Sequence, residues 1–243
     1  MCTVSYIPIP KNNFILTSNR DETIRRGRAT PPGEFSYQEA KVICPIDPLS
    51  GGTWIAASAN GTISCLLNGA FNKHERRPLY RKSRGIVVLD SLQYESAQEF
   101  AALYDFSNIE PFTLVMIVNG KGRELNELRW DGSKLHLNFF DPHDFRIWSS
   151  VTLYSKEVIA FKEEIFQNAL QHTDYLTPQI LMNIHERDFL YEECIEPAQQ
   201  VHEIKTLSIT SVECESNSIV MHYRDLTRKE LPDAELKFDL KKH

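Results

Sequence analysis

Long apolar runs are absent from this sequence. No stretch of its 243 residues approaches the roughly 18 consecutive apolar residues that a membrane-spanning helix needs. The first residues also lack the basic segment and the long apolar segment of a secretory signal peptide. We therefore expect a cytoplasmic protein without a membrane span.

An excess of positive charge is absent as well. The chain has 27 Lys and Arg residues against 33 Asp and Glu residues, which gives a formal net charge of -6. Proteins that bind nucleic acids generally carry a basic surface that matches the phosphate backbone. We therefore expect no nucleic-acid partner.

The cysteines lack the spacing of a disulfide framework or a metal site. There are 5 of them, at positions 2, 44, 65, 194 and 214, and no two form a C-x-x-C pair. The histidines form no H-E-x-x-H motif. We expect reduced thiols, no metal site and no required cofactor, so a reactive cysteine must be recognised by its position.

The apolar content is sufficient for a sizeable core. Apolar residues make up 42% of the chain, and its length favours a single domain over residues 1–243. Short runs rich in β-branched and aromatic residues predict strands, and apolar residues at helical spacing predict helices. The predicted strands lie at residues 2–7, 14–19, 54–59, 62–67, 206–212, 218–223 and 235–240 and as a meander of three within 112–140, and the predicted helices within 84–105, 156–171 and 178–190.

The order of these elements predicts the fold class. Strands and helices occur in blocks rather than in regular β-α-β alternation, which favours an α+β architecture of antiparallel sheets covered by helix pairs. Residues 27–47 are rich in Pro, Gly and charge and predict a long loop with one strand near residues 41–44. The Asn60-Gly61 pair is a strong hairpin signal, and pairing across it brings Asn68 beside Thr53.

The start of the chain carries a candidate nucleophile. A methionine before a small residue is a substrate for methionine aminopeptidase, and its removal would make Cys2 the N-terminal residue. An α-amino group has an ordinary pKa of about 7.7 to 8.0 and a cysteine thiol of about 8.5, so both titrate near neutral pH. One residue would then supply a nucleophile and a base together.

Charged residues return to this end of the sheet. If residues 2–7 pair with 14–19 around a six-residue turn, Cys2 lies opposite Asn19, and Asp21 shares the face of Cys2. Asp21 would then hold the amino group, and Arg20 would lower the thiol pKa or bind a substrate carboxylate. A slip of one residue exchanges the faces of Arg20 and Asp21. From its chemistry alone, a cysteine at this position is more often a small buried core residue than a nucleophile.

Several motifs together resemble a known family. They are the initial Met-Cys, "SNRDE" at 18–22, "GGTW" at 51–54, "LLNGAF" at 66–71 and "YRKSRG" at 80–85. In this order they resemble the NRDE family, also called the transport and Golgi organisation protein 2 family. That family is similar to the N-terminal nucleophile hydrolases of the choloylglycine hydrolase and penicillin V acylase type. The resemblance implies a four-layer α-β-β-α sandwich of two antiparallel sheets.

The resemblance also implies catalytic roles. Cys2 would be the nucleophile, Arg20 would lie near its sulfur, Asp21 would bind its amino group, and the Asn68 backbone N–H would contribute to an oxyanion hole. Those hydrolases use a second asparagine in a region that aligns near Ser149-Ser150, where this sequence has none. The implied activity is hydrolysis of a small-molecule amide.

Further residues are candidates for substrate binding. We expect Asn19, Trp54, Phe71 and Arg84 to line the site, although aromatic residues at strand positions such as Trp54 and Phe71 more often belong to the core. The basic segment 73–84 would attract an anion or form a solvated loop. The family's association with intracellular haem makes haem a possible bound ligand, with Cys44-Pro45 as a candidate thiolate site. The alternative function is therefore a non-catalytic binding or trafficking protein for haem or another hydrophobic anion.

Overall fold

The computed structural model describes residues 3–120, 122–173, 175–190 and 203–240. Cys2, the predicted nucleophile, lies outside the described residues. Within them, the strands are β1 (Thr3–Ile9), β2 (Asn13–Thr23), β3 (Gly33–Tyr37), β4 (Ala40–Cys44), β5 (Ile55–Ser58), β6 (Ile63–Asn68), β7 (Phe112–Asn119), β8 (Arg123–Trp130), β9 (Leu135–Phe140), β10 (Arg146–Ser149), β11 (Ile204–Cys214), β12 (Ser218–Asp225) and β13 (Ala234–Asp239). The helices are α1 (Arg84–Ser91), α2 (Ala97–Leu103), α3 (Lys156–Gln171) and α4 (Pro178–Asp188).

These strands form two antiparallel sheets. Sheet A has the order β10-β1-β2-β11-β12-β13, and sheet B has the order β3-β4-β5-β6-β7-β8-β9. Sheet A therefore brings the first strands of the chain together with the last ones. In sheet B each strand pairs with its neighbour in sequence.

The two sheets pack face to face around one apolar core. Val4, Tyr6 and Leu16 of sheet A and Ile55 and Val115 of sheet B belong to this core, and all are fully buried. Alternate residues of a strand point to opposite faces, so the neighbours of these residues face the helices. Burying each large apolar side chain contributes about 1.5 to 3 kcal/mol, which makes this core a main source of the fold's stability.

Helices cover the outer face of each sheet. Val88 of α1 and Phe100 of α2 pack against Met116 on sheet B, while Phe166 of α3 and Leu181 of α4 pack with other apolar residues on sheet A. The result is the expected α-β-β-α sandwich.

Side-chain caps define where several of the helices begin. Ser96 Oγ accepts a 3.0 Å hydrogen bond from the Glu99 N–H at the start of α2, as its capping-box pattern predicts. Thr177 Oγ1 accepts a 3.2 Å bond from the Ile180 N–H, and Pro178 occupies the first turn of α4. Proline is well tolerated there because the first N–H groups of a helix have no intrahelical acceptor.

Two strands were not predicted from the sequence. β3 lies in the segment that was expected to be a loop, and its residues are mostly exposed, so no alternating apolar pattern marks it. β10 has only four residues and pairs with β1, with Thr3 opposite Ser149. Both strands lie at the edge of a sheet. Pairing with a neighbouring strand, rather than their own composition, determines that they are extended.

The predicted register of the first hairpin is wrong by one residue. Val4 pairs with Ser18 rather than Thr17, and Ile9 pairs with Asn13. The connection is shorter than the six residues expected, because Lys11 and Asn12 both adopt left-handed backbone angles, with φ of 65° and 59°. A tight turn therefore replaces the wide one, and the faces of Arg20 and Asp21 are exchanged relative to the expected arrangement.

Candidate active site

A cavity of about 380 Å³ opens at one end of the sandwich. Its wall comes from the end of β2, the connection between β4 and β5, the end of β6 and the basic segment before α1. The "NRDE", "GGTW" and "YRKSRG" motifs therefore meet around one space. The described residues that line it are Arg20, Asp21, Glu22, Arg26, Asp47, Ser50, Gly52, Thr53, Trp54, Leu66, Asn68, Arg76, Arg77, Pro78, Leu79, Tyr80, Lys82, Ser83, Arg84, Gly85 and Glu110.

Two glycines allow the walls of this cavity to meet. A Cβ atom on Gly52 would lie 2.7 Å from the Gly85 carbonyl carbon, and a Cβ atom on Gly85 would lie 2.9 Å from the Thr53 oxygen. The Thr53 N–H donates a 3.2 Å hydrogen bond to the Gly85 carbonyl. The glycines of "GGTW" and "SRG" thus join two backbones at a distance that no side chain permits.

Arg20 is fixed by a buried ion pair. Its Nη2 atom lies 2.8 Å from Asp47 Oδ2, and its guanidinium carbon lies 5.2 Å from the centroid of the Trp54 ring. The Arg20 side chain is only 3% exposed. Arg20 therefore points toward sheet B, on the face of β2 that also carries Leu16.

Asp47 is the centre of the charge network. Arg26 Nε lies 2.8 Å from the same carboxylate oxygen, and the N–H groups of Leu49 and Ser50 donate to the other oxygen. Burial alone would raise the pKa of Asp47, but the hydrogen bonds from Arg26 and Arg20 outweigh it and hold the pKa below its ordinary value. Asp47 is thus ionised at neutral pH and neutralises part of the cavity's positive charge.

Arg84 forms the opposite wall. It lies 3.3 Å from Glu110, which also lies 3.3 Å from His74 Nε2, and its Nη1 atom donates to the Pro111 carbonyl. Burial, together with the charge of Arg76, outweighs the charge of Glu110 and lowers the pKa of Arg84 from its ordinary value. An arginine stays protonated at neutral pH even so.

The Asn68 backbone N–H points to the cavity side of β6. Successive residues of an antiparallel strand direct their N–H groups to opposite neighbours. The Leu66 N–H donates to the Trp54 carbonyl, and the Gly69 N–H donates to the Pro111 carbonyl. The Asn68 N–H therefore points away from β7, toward the side where β5 has ended. No described residue accepts a hydrogen bond from it.

The Asn68 carbonyl is bound from the other sheet. Ser150 Oγ donates a 2.8 Å hydrogen bond to it and lies 2.9 Å from Thr152 Oγ1. Ser150 directly follows β10, the strand beside β1. This bond therefore places Asn68 close to the beginning of β1, in the region where the sequence offers serine rather than asparagine.

The side chains of Asp21 and Asn19 form hydrogen bonds with other residues on the helix-covered face of sheet A. Asp21 accepts hydrogen bonds from Tyr154 Oη at 2.9 Å and Thr206 Oγ1 at 2.5 Å. The side-chain amide of Asn19 donates to the Phe189 carbonyl, and its oxygen lies 2.7 Å from His185 Nδ1. Asn19, which we expect to bind substrate, is fully buried and is not among the described residues that line the cavity.

Phe71 also lies outside the cavity lining. It is 44% exposed and packs edge-on against His136, with the Arg129 guanidinium 5.3 Å from its ring centroid. The turn after β6 directs it over the surface of sheet B instead of into the cavity. Of the four residues expected to bind substrate, Trp54 and Arg84 line this space.

Cys44 is a buried thiol that does not line the cavity. It is 1% exposed, and burial raises the pKa of its thiol to about 12. Of the residue types that commonly ligate haem iron, the described cavity lining offers Tyr80. In the described part of the chain, no group of three or more His, Cys, Asp or Glu is arranged to hold a metal ion.

No helix among the described residues is long and apolar enough to cross a membrane.

No sequence motif marks Asp47 or Ser150 as a residue of the site. The segment Asp47-Pro48-Leu49-Ser50-Gly51 is a turn signal, since Asp side chains accept from N–H groups two residues onward. That pattern indicates the local turn, but it cannot indicate the arginine 27 positions earlier in sequence that the carboxylate also binds.

Solved structures with the same architecture cover nearly the whole chain. The penicillin V acylase from Agrobacterium tumefaciens has a TM-score of 0.57 and 12% identity, covering 98% of this chain and 91% of that chain. The C2A mutant of the conjugated bile acid hydrolase from Clostridium perfringens has a TM-score of 0.55 and 9% identity, covering 100% of this chain and 97% of that chain. The Caenorhabditis elegans ortholog of N-acylethanolamine-hydrolyzing acid amidase has a TM-score of 0.53 and 10% identity. That match covers 86% of this chain and 92% of that chain. The fold is that of the N-terminal nucleophile hydrolases.

Sequence comparison then gives the family. The model of the Transport and Golgi organisation 2 family matches residues 1–229, and the chain belongs to that family. No curated protein matches the chain significantly. The family expected from the ordered motifs is confirmed, and so is the fold.

Proposed function

We propose that this protein is an N-terminal-cysteine hydrolase that acts on a non-peptide C–N bond of a small-molecule amide. Cys2 is the nucleophile after removal of Met1. The observation that carries the proposal is the Asn68 N–H, which lies on the cavity side of β6 without a hydrogen-bond acceptor among the described residues. A backbone donor of this kind can stabilise the negative charge that develops on a carbonyl oxygen.

Two further features support this assignment. β1 begins at Thr3, which pairs with Ser149, and Ser150 binds the Asn68 carbonyl, so the start of β1 and the free N–H belong to one corner of the sandwich. The solved neighbours are described as a hydrolase, an acylase and an amidase.

The proposed reaction has two stages. The Cys2 sulfur forms a bond to the amide carbonyl carbon, the C–N bond breaks, and the thiol proton passes through the α-amine to the departing amine. Water then attacks the resulting thioester, its OH remains on the acyl group as a carboxylic acid, and its other proton restores the Cys2 thiol. Loss of one oxyanion donor typically reduces such rates about 100- to 1000-fold.

The charged residues have separate roles in this scheme. Arg20 is held by Asp47 beside Trp54 and supplies a fixed positive charge to the cavity. Asp21 lies at the end of β2 and takes part in the buried network with Tyr154 and Thr206. We assign Arg20 to binding an acidic group of the substrate and Asp21 to holding the N-terminal amine.

The test compares variants on acyl-amide substrates. Mass spectrometry first establishes whether Met1 is removed. A library of acyl amides is then incubated with wild type, Cys2→Ala and Cys44→Ala, the last being a matched control at a buried cysteine. We expect turnover in wild type and Cys44→Ala and none in Cys2→Ala. Turnover that is equal in all three proteins, or absent from all, counts against the hydrolase.

A second function is favoured by the cavity's basic rim. Arg76 and Arg77 line the cavity and form no ion pair with other described residues, and the neighbouring Leu79 is 79% exposed. Two available guanidinium groups beside an exposed leucine suit haem or another hydrophobic anion. The alternative is therefore a non-catalytic binding or trafficking protein on the same fold.

Binding measurements separate the alternative from the enzyme. Haem and 8-anilinonaphthalene-1-sulfonate serve as probes, followed by absorbance and fluorescence. The carrier predicts stoichiometric binding that survives Cys2→Ala, weakens in Arg76→Gln/Arg77→Gln, and weakens with added salt. Arg28→Gln is the control, because Arg28 is exposed and does not line the cavity. Equal binding by both sets of variants contradicts a role for the rim.

A further inference from the structure

Two leucines project into solvent at the mouth of the cavity. Leu79 lines the cavity and is 79% exposed, and Leu49, next to the lining residue Ser50, is 71% exposed. No other leucine among the described residues is as exposed as these two. A single exposed leucine is ordinary on a protein surface. Two of them at one opening indicate a surface that contacts something apolar.

The loop of Leu49 holds this side chain outward. The N–H groups of Leu49 and Ser50 donate hydrogen bonds of 3.1 and 3.2 Å to Asp47 Oδ1, in the manner typical of an Asp-initiated turn. Pro48 further restricts the backbone between them. The polar groups of the turn therefore bond within the turn, while the leucine stays in water.

The loop of Leu79 has the same design. It repeats the Pro-Leu sequence at Pro78-Leu79, and the Arg77 N–H donates a 2.9 Å hydrogen bond across these two residues to Tyr80 Oη. Both leucines thus sit on loops that are already ordered. An apolar partner would bind them without the entropic cost of ordering a flexible segment.

Positive charge surrounds the two leucines. We define the mouth surface as residues 24–28, 47–50 and 73–84, which contain nine Lys or Arg residues and two Asp or Glu residues, although the whole chain has a net charge of -6. Arg76 and Arg77, just before Pro78, are exposed and form no ion pair with other described residues. These two guanidinium groups are therefore available to an external anion.

An anionic lipid surface suits this combination of features. Apolar side chains among cations bind membranes peripherally, since the apolar groups enter the acyl boundary and the cations contact the headgroup phosphates. A second copy of this chain is a poor partner, because a two-fold interface would place two basic surfaces against each other. A folded protein would need a surface shaped to two separate projections, whereas a fluid lipid surface adapts to them.

We propose that the mouth surface docks on anionic membranes, with Leu49 and Leu79 inserted among the lipids and Arg76 and Arg77 bound to headgroup phosphates. The cavity then opens onto the membrane, so an amphiphilic ligand passes between the bilayer and the cavity without crossing water. This inference does not depend on whether the cavity is catalytic or serves a carrier.

Sedimentation with vesicles tests the docking. The full chain is mixed with vesicles of equimolar phosphatidylcholine and phosphatidylserine, or of phosphatidylcholine alone, and the bound fraction is measured after centrifugation. We expect wild type to bind the anionic vesicles, to bind the neutral ones at least about tenfold more weakly, and to be released by added salt. Failure of wild type to bind the anionic vesicles overturns the proposal.

A leucine pair tests the insertion. Leu49→Ser/Leu79→Ser is expected to weaken binding to the anionic vesicles at least about tenfold, because two apolar side chains no longer leave water. Phe161→Ser is the control, since Phe161 is 55% exposed on α3 and does not line the cavity. It is expected to bind as wild type does. Equal binding by the leucine pair and wild type overturns the insertion.

An arginine pair tests the charge. Arg76→Gln/Arg77→Gln is expected to weaken binding about tenfold or more. Lys11→Gln/Lys237→Gln changes the net charge equally at exposed lysines outside the mouth surface, in the β1–β2 turn and in β13, and is expected to bind as wild type does. An equal loss in both pairs would mean that net charge alone drives binding, which contradicts docking through this surface.

Two further readouts complete the test. Circular dichroism establishes that each variant is folded, which is expected because every replaced side chain is exposed. A loss in the arginine pair without a loss in the leucine pair would indicate a simple anion site or an acidic protein partner and would overturn membrane docking. Vesicle binding needs no turnover, so failure of the hydrolase and failure of this inference are distinguished.

Discussion

Ser150 Oγ donates a 2.8 Å hydrogen bond to the main-chain carbonyl of Asn68. The bond joins the end of β10 in sheet A to the end of β6 in sheet B. Because the N–H and the carbonyl of one strand residue point to the same side, Ser150 fixes the residue whose N–H is the proposed oxyanion donor.

The first prediction concerns this bond. Ser150→Ala leaves the Asn68 carbonyl without its partner and should destabilise the fold by about 1 to 2 kcal/mol. If the Asn68 N–H is an oxyanion donor, the same change should reduce hydrolysis of a chromogenic acyl 4-nitroanilide by about tenfold or more, since misplaced donors lose much of their effect. Thermal unfolding and steady-state kinetics measure the two effects separately.

Thr152→Val is the matched control for Ser150→Ala. It removes the second partner of Ser150 and keeps both the shape of the side chain and the bond to Asn68. We expect a rate within about threefold of wild type, because the donor geometry at Asn68 is retained. If the two variants slow the reaction equally, the position of Asn68 does not control the rate.

The second prediction concerns Asp47. Asp47→Asn leaves Arg20 and Arg26 without their shared carboxylate, and breaking a buried ion pair from one side should cost about 3 kcal/mol at pH 7. Urea unfolding measures this difference. Asp144→Asn breaks an exposed pair with Arg146 and should cost less than about 1 kcal/mol.

The pH dependence of the Asp47 effect has a defined sign. The folded state lowers the pKa of Asp47 below 3.8, so its contribution to stability is present above that pH and is lost as the pH falls further. The difference between wild type and Asp47→Asn should therefore be constant from pH 7 to about pH 4 and shrink below it. A difference that grows on acidification would show that the carboxylate is not stabilised by the arginines.

The third prediction concerns His185. The Asn19 amide donates to Phe189, so its oxygen accepts from His185 Nδ1–H, and the Ser5 hydroxyl donates to Nε2. This network requires a neutral ring, and burial followed by the charge of Lys162 lowers the His185 pKa to about 3. Its contribution to stability is present above the ordinary histidine pKa of 6.5 and is lost as the pH falls toward 3.

Urea unfolding at two pH values tests the His185 network. Between pH 7 and pH 5 wild type should lose about 2 kcal/mol more of its free energy of unfolding than His185→Gln. His143→Gln, at an exposed histidine, should lose as much as wild type. Identical losses in wild type and His185→Gln would mean that His185 is protonated in the folded protein.

Much of the fold follows from local sequence patterns. The β5–β6 hairpin around Asn60-Gly61, the β7–β9 meander and the capped helix α2 lie where turn residues and apolar periodicity predict them. β3 and β10 carry no such pattern. They form strands because a neighbouring strand supplies their hydrogen bonds. The first hairpin shows a different limit, since two left-handed residues in its turn determine the register of the six β2 residues, 13–18, that pair with β1.

The candidate site is only partly predictable from sequence. Motifs indicate Arg20, Trp54, Asn68 and Arg84, and these residues line one cavity. The Asp47–Arg20 pair and the Ser150–Asn68 bond join residues that are distant in sequence, so no local pattern indicates them.

Trapping of an acyl group on Cys2 tests the central proposal most directly. Wild type and Cys2→Ala are mixed with an acyl amide or an activated acyl ester, quenched in acid, and analysed by intact mass and peptide mapping. We expect one acyl group per wild-type chain, located on the Cys2 peptide, and none on Cys2→Ala. An adduct located on another residue, or equal labelling of both proteins, would contradict Cys2 as the nucleophile.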